Sequence, residues 1–119
     1  MSWSTRSHLL YLEDMRDAMA RAIRYCEGLS FDDFHANELV VDAVVRTLEI
    51  IGEAAHKIPP AVRAQYPEVP WTRMYRLRNR IAHEYFGLDY EVLWRIITDY
   101  LPENLRQVEQ VIQAEQRTP

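Results

Sequence analysis

Asn37-Glu38-Leu39-Val40-Val41-Asp42-Ala43-Val44-Val45-Arg46-Thr47-Leu48-Glu49-Ile50-Ile51-Gly52-Glu53-Ala54-Ala55-His56-Lys57, followed by Ile58-Pro59-Pro60, is the stretch whose reading sets the architecture. Asn37 suits a helix N-cap, because its side-chain oxygen can accept a bond from a first-turn amide that has no partner inside the helix. Pro59-Pro60 forbids continuation at the other end. At about 100° per residue, Glu38, Asp42, Arg46, Glu49, Glu53 and His56 share one narrow arc, and apolar residues cover the remainder. An apolar arc of roughly two-thirds of the circumference is wider than an outer helix of a small bundle needs. The helix is therefore central in the chain, or it is covered on one side by its own chain and on another by a second copy. In a chain this short the second arrangement is the expectation, and a twofold homodimer follows. Gly52 and Ala55 would let a neighbouring helix approach closely.

Outward from this segment the pattern stays helical. Three glycines and six prolines in 119 residues, with no alternating strand pattern, indicate an all-α fold, an antiparallel helical bundle in one domain over residues 1–119. A first helix is predicted from about residue 5 to 27 on the stripe Leu9, Leu12, Met15, Met19, Ala22, Ile23 and Cys26, with Gly28 as its stop. Ser30-Phe31-Asp32-Asp33 reads as a capping box. A Pro-flanked connector spans about 59 to 70, and a third long segment runs from near Trp71, with Pro70 in its first turn, to before Gly87. Asp89 caps a last segment that Pro102 kinks or divides. The end, about residues 114–119, is expected to fray.

Charge and composition exclude several classes. A net charge of −4 argues against a generic nucleic-acid coat, so any RNA contact must be local. Four of the 14 basic residues, Arg73, Arg76, Arg78 and Arg80, do lie within eight positions, and the plainest reading of that run is a solvated helix face. The single cysteine, Cys26, excludes an internal disulfide. No apolar run approaches the roughly 20 residues that cross a bilayer. The expectation is a soluble, cytoplasmic protein without membrane attachment. His8, His35, His56 and His83 are scattered without ligand spacing, so neither a metal site nor another cofactor is expected.

Chemistry concentrates in Arg78-Asn79-Arg80-Ile81-Ala82-His83-Glu84-Tyr85. Cleaving RNA without a metal needs a group that moves the proton of the 2'-hydroxyl and a cation that holds the phosphorane charge, and imidazole with guanidinium supplies both. On the helical projection Arg78 falls among Trp71, Met74 and Ile81, whereas Arg73, Arg76, Arg80, Asn79 and His83 occupy the polar side. An arginine aimed at an apolar face needs a partner or a wet cleft, and Glu49 or Glu53 of the second long helix could pair with it. Five helical steps put His83 about 140° from Arg78. Either the helix ends or bends near His83, or two copies pool their residues in a shared groove.

These residues resemble the Arg-x4-His-x-Tyr motif of the HEPN superfamily, specifically its HepT-like branch of toxin ribonucleases. Tyr11-Leu12-Glu13-Asp14-Met15, Ala43 to Ala55, Tyr85-Phe86-Gly87-Leu88-Asp89-Tyr90 and Leu93-Trp94 extend the likeness over about residues 8 to 112. The resemblance implies a HEPN-like homodimeric bundle and a metal-independent endoribonuclease acting as the toxin of a type II/VII-like toxin-antitoxin pair. It further implies Arg78 and His83 as the catalytic pair, Asn79 as a supporting polar residue, and Tyr85 as acceptor of AMP from a minimal nucleotidyltransferase antitoxin. The rival reading is a noncatalytic subunit that binds nucleotide or partner for such a nucleotidyltransferase. The RNA cleaved and any assembly beyond the dimer stay open.

Overall fold

The structure, a computed structural model, describes residues 7–83 and 89–117. All regular structure among them is helical. Helix α1, His8–Tyr25, starts where the Ser7 hydroxyl accepts from the Leu9 amide at 3.2 Å and ends ahead of Gly28, whose φ of +78° is a left-handed stop. Helix α2, Phe31–Ala36, carries the reciprocal Ser30 and Asp33 capping box. Helix α3, Glu38–Lys57, is capped by Asn37, whose side-chain oxygen accepts from the Val40 amide at 3.1 Å.

The connector from 59 to 70 contains a helix that the sequence reading leaves out, α4, Pro60–Gln65. Pro60 at its first turn costs no hydrogen bond, so a residue pair read as a barrier also opens the next turn. Helix α5, Trp71–His83, follows, its first bond running from the Met74 amide to the Pro70 carbonyl. Helix α6, Tyr90–Arg95, is capped by Asp89. A π-helical turn, Ile96–Tyr100, then leads into α7, Leu101–Arg117. Pro102 has no amide and crowds the carbonyl four residues earlier. The Leu101 amide reaches back five residues to Ile96, and the helix divides there as expected.

Helix α3 separates α1 from α5 and also meets α2, while α7 lies on α1. Val41, Val44, Val45, Leu48, Ile51, Ala54 and Ala55 of α3 are all buried, against core residues such as Leu12, Met15 and Met19 of α1. Most of the apolar arc of α3 is thus covered within one chain, with Val40, Ala43 and Ile50 partly exposed, so its width alone does not require a second copy. Leu39, 79% exposed at the helix start, is the large exception. Helix α5 docks on α3 through Trp71, Met74 and Ile81, and α3 is the helix that chiefly holds it.

Helix α7 runs on to Arg117, past residue 114. Glu115 accepts from the Tyr66 hydroxyl at 2.7 Å and lies 2.7 Å from His8 Nε2. Tyr66 in turn offers its carbonyl to the Trp71 indole N–H at 3.0 Å, so this polar link ties both outer helices to the start of α5.

Candidate active site on α5

The placement of Arg78 begins with a missing side chain. A Cβ on Gly52 would collide with Cβ of Arg78 and come within 2.7 Å of the Met74 carbonyl oxygen, so glycine is what lets α5 lie this close to α3. The stem of Arg78 therefore packs at the crossing, on the side that the helical projection assigns to it. Its head emerges toward Glu53, one residue beyond the glycine, with Nη2 3.0 Å from Oε2. Nη1 donates to the Asn79 side-chain oxygen at 3.1 Å. Of the two acids that the sequence offers as partners, Glu53 takes the role.

Arg78 and Glu53 side chains are 37% and 51% exposed, so water screens the pair and it contributes under about 1 kcal/mol. The guanidinium borders a polar cleft of about 420 Å³ between α1, α3 and α5, where Asp14, Glu49 and Glu53 face Arg46, Lys57 and Arg78. On the same crossing His56 and Tyr75 stack with ring centroids 4.0 Å apart and planes 13° from parallel. Sequence reading places His56 on the surface and misses this stack, because the phase of one helix does not reveal which residue of the next lies opposite.

His83 is exposed on α5, which is regular α-helix from Trp71 through it. The described helix ends at His83, as one of the sequence alternatives has it, and five steps of regular helix from Arg78 correspond to about 140°. Tyr85, the expected AMP acceptor, and Glu84 lie outside the described residues.

Other chemistry is poorly placed. Burial pushes the Cys26 thiol up to about 11, which leaves it protonated and unreactive near neutral pH. Among the described residues no group of three His, Cys, Asp or Glu side chains is arranged to hold a metal ion. Nor is any described helix long and apolar enough to cross a membrane.

Comparison with known proteins adds the context of a family. Residues 15–111 match the family described as "Ribonuclease HepT-like". The chain is 40% identical over 97 residues to "Probable ribonuclease HepT" of Thermococcus cleftensis, covering 82% of this chain and 88% of that protein. It is 36% identical over 102 residues to "Putative RNase MJ0127" of Methanocaldococcus jannaschii, covering 86% and 84%. Identity to "Putative RNase TTE0752" of Caldanaerobacter subterraneus is 37% over 105 residues, covering 88% and 94%. No solved structure gives a significant match.

Proposed function

The chain belongs to the HepT-like ribonuclease family, and from that premise we propose that it is a metal-independent endoribonuclease whose active site is completed by a second copy. The observation that carries the reading is that one α-helix, Trp71–His83, holds both Arg78 and His83, five residues apart. A cationic group and an imidazole that both suit phosphodiester cleavage point apart, and a twofold axis beside α5 brings the guanidinium of one protomer to the imidazole of the other.

In that composite site His83 takes the proton of the 2'-hydroxyl and the freed oxygen attacks phosphorus. Arg78 moves from Glu53 to the equatorial oxygens of the phosphorane, where a fixed cation is worth most. The 5'-oxygen leaves with the proton that His83 took up, giving a 2',3'-cyclic phosphate and a 5'-hydroxyl. Asn79, already bonded to Arg78, limits the rotamers of the guanidinium.

The same reading makes the protein a toxin neutralised by a minimal nucleotidyltransferase. The Tyr85 phenol would attack the α-phosphorus of ATP and release pyrophosphate, leaving an AMP whose charge repels RNA at the mouth of the groove.

The test is a labelled RNA incubated with pure protein in chelator, with and without the nucleotidyltransferase and ATP. Cleavage without the partner and its loss with the partner and ATP support the proposal. Absence of cleavage in every condition overturns it in favour of a noncatalytic nucleotide-binding or partner-binding subunit.

A further inference from the structure

The flank of α5 away from the Arg78 cleft carries a second feature that RNA cleavage does not use. Between α5, the π-helical turn and the start of α7 runs an apolar trough of about 490 Å³. Leu48, Ile51, Met74, Leu77, Ile96 and Leu101 form its floor. Val92 and Tyr100, 39% and 50% exposed, lie in its open side. Arg73, Arg76 and Arg80 form one wall, a ridge at helical spacing on α5, and Arg95 of α6 stands on the other. No carboxylate is among the described lining residues, although the chain as a whole is acidic. Arg80 is engaged elsewhere in the chain, whereas Arg73, Arg76 and Arg95 have no ion-pair partner among the described residues.

We propose that this trough docks an amphipathic helix of another protein, one whose apolar stripe is flanked by Asp and Glu. Both properties of the site point that way. An aliphatic floor between helices takes the side chains of an i, i+3, i+4, i+7 stripe. Guanidiniums on both walls select carboxylates beside that stripe and penalise lysines there.

Two other occupants fit less well. Single-stranded RNA is held by phosphate contacts together with bases stacked on aromatic rings, and Tyr100 is the one aromatic side chain among the described lining residues. A second copy joined through a twofold axis would set this arginine rim against itself. Neither Arg78 nor His83 is among the described lining residues, although His83 follows Arg76 and Arg80 on the same side of α5, so a partner seated in the trough would lie next to the proposed catalytic imidazole.

The experiment measures fluorescence anisotropy of a labelled helical peptide of about 18 residues, five turns, with leucines along one stripe and glutamates on both sides of it. A control peptide carries lysine at every glutamate position. Saturable binding of the acidic peptide, at least about thirtyfold tighter than the lysine peptide, is expected. The triple variant Arg73→Glu, Arg76→Glu and Arg95→Glu should lose the acidic peptide by more than about tenfold and gain the lysine peptide. Tyr100→Ala should weaken both pairings without altering the charge preference.

Equal binding of the two peptides, or none of either, overturns the proposal. So does a labelled single-stranded RNA whose affinity falls in the triple variant while the peptide's does not. A change of sedimentation velocity in that variant would show instead that the trough joins copies of this chain. The substitutions are at exposed positions, and circular dichroism checks that each variant is folded.

Discussion

The two flanks of α5 carry the same residue type to different ends. On one, Arg78 is packed at its stem by the approach to Gly52, met at its head by Glu53, and opens on a cleft where cations and carboxylates balance. On the other, Arg73, Arg76 and Arg80 edge an apolar trough with no carboxylate among its described lining residues. Helical phase assigns each arginine to a flank, and the neighbouring helix decides its chemistry. A guanidinium loosely held by a carboxylate is ready to take a phosphate, while guanidiniums around an aliphatic floor recognise a charged surface of complementary shape.

The contrast breaks most sharply at the two proposed catalytic residues. His83→Ala should lower RNA cleavage by about 10³-fold, within the range for a general acid or base, with the melting temperature nearly unchanged because the side chain is exposed. Single-turnover rates and a melting curve on the same preparation check both halves. Arg78→Ala should cost about 10²-fold in rate by removing the charge that stabilises the phosphorane. Arg78→Lys should recover only part of that loss, since an ammonium lacks the planar fork.

Substitution at the helix crossing asks whether close approach creates the difference between flanks. Gly52→Ala should destabilise the fold by about 1–3 kcal/mol in urea unfolding, because Met74 backbone and the Arg78 stem must shift. It should also lower cleavage.

The smallest effect lies away from both flanks. Glu115→Gln should cost about 1 kcal/mol at neutral pH. The hydroxyl of Tyr66, and then His8, hold the Glu115 carboxyl below its ordinary range, although its burial pushes the other way. A native pKa below the unfolded one stabilises above the unfolded value and is lost as pH falls through the native one. The gap in melting temperature between the two proteins should therefore be full at pH 7 and close as the solution is acidified below the carboxylate range.

What the sequence revealed was mostly local. Asn37, Ser30, Asp89, Gly28 and Pro102 each act on backbone groups within a turn of themselves, and each does what its chemistry predicts. Gly52 and Glu53 were legible as well, because helical phase alone puts a gap and a carboxylate on the face that a neighbour must meet. The arc of α3 left the assembly open because its width reports how much surface is covered and not which chain covers it. The link at the end of α7 was not legible for a similar reason, since one of its partners is His8, 107 positions away in sequence. The trough escaped notice because its far wall depends on where the π-helical turn sets Arg95 and Tyr100.

The most direct test of the composite site mixes the two inactive chains. Arg78→Ala and His83→Ala proteins, unfolded together and refolded, should regain about a quarter of wild-type cleavage. Random pairing makes half the dimers mixed, and each mixed dimer keeps one intact site of two. Recovery at that level is what pairing between protomers predicts. Cleavage that stays at the level of the separate variants, although mixed dimers form, would contradict it.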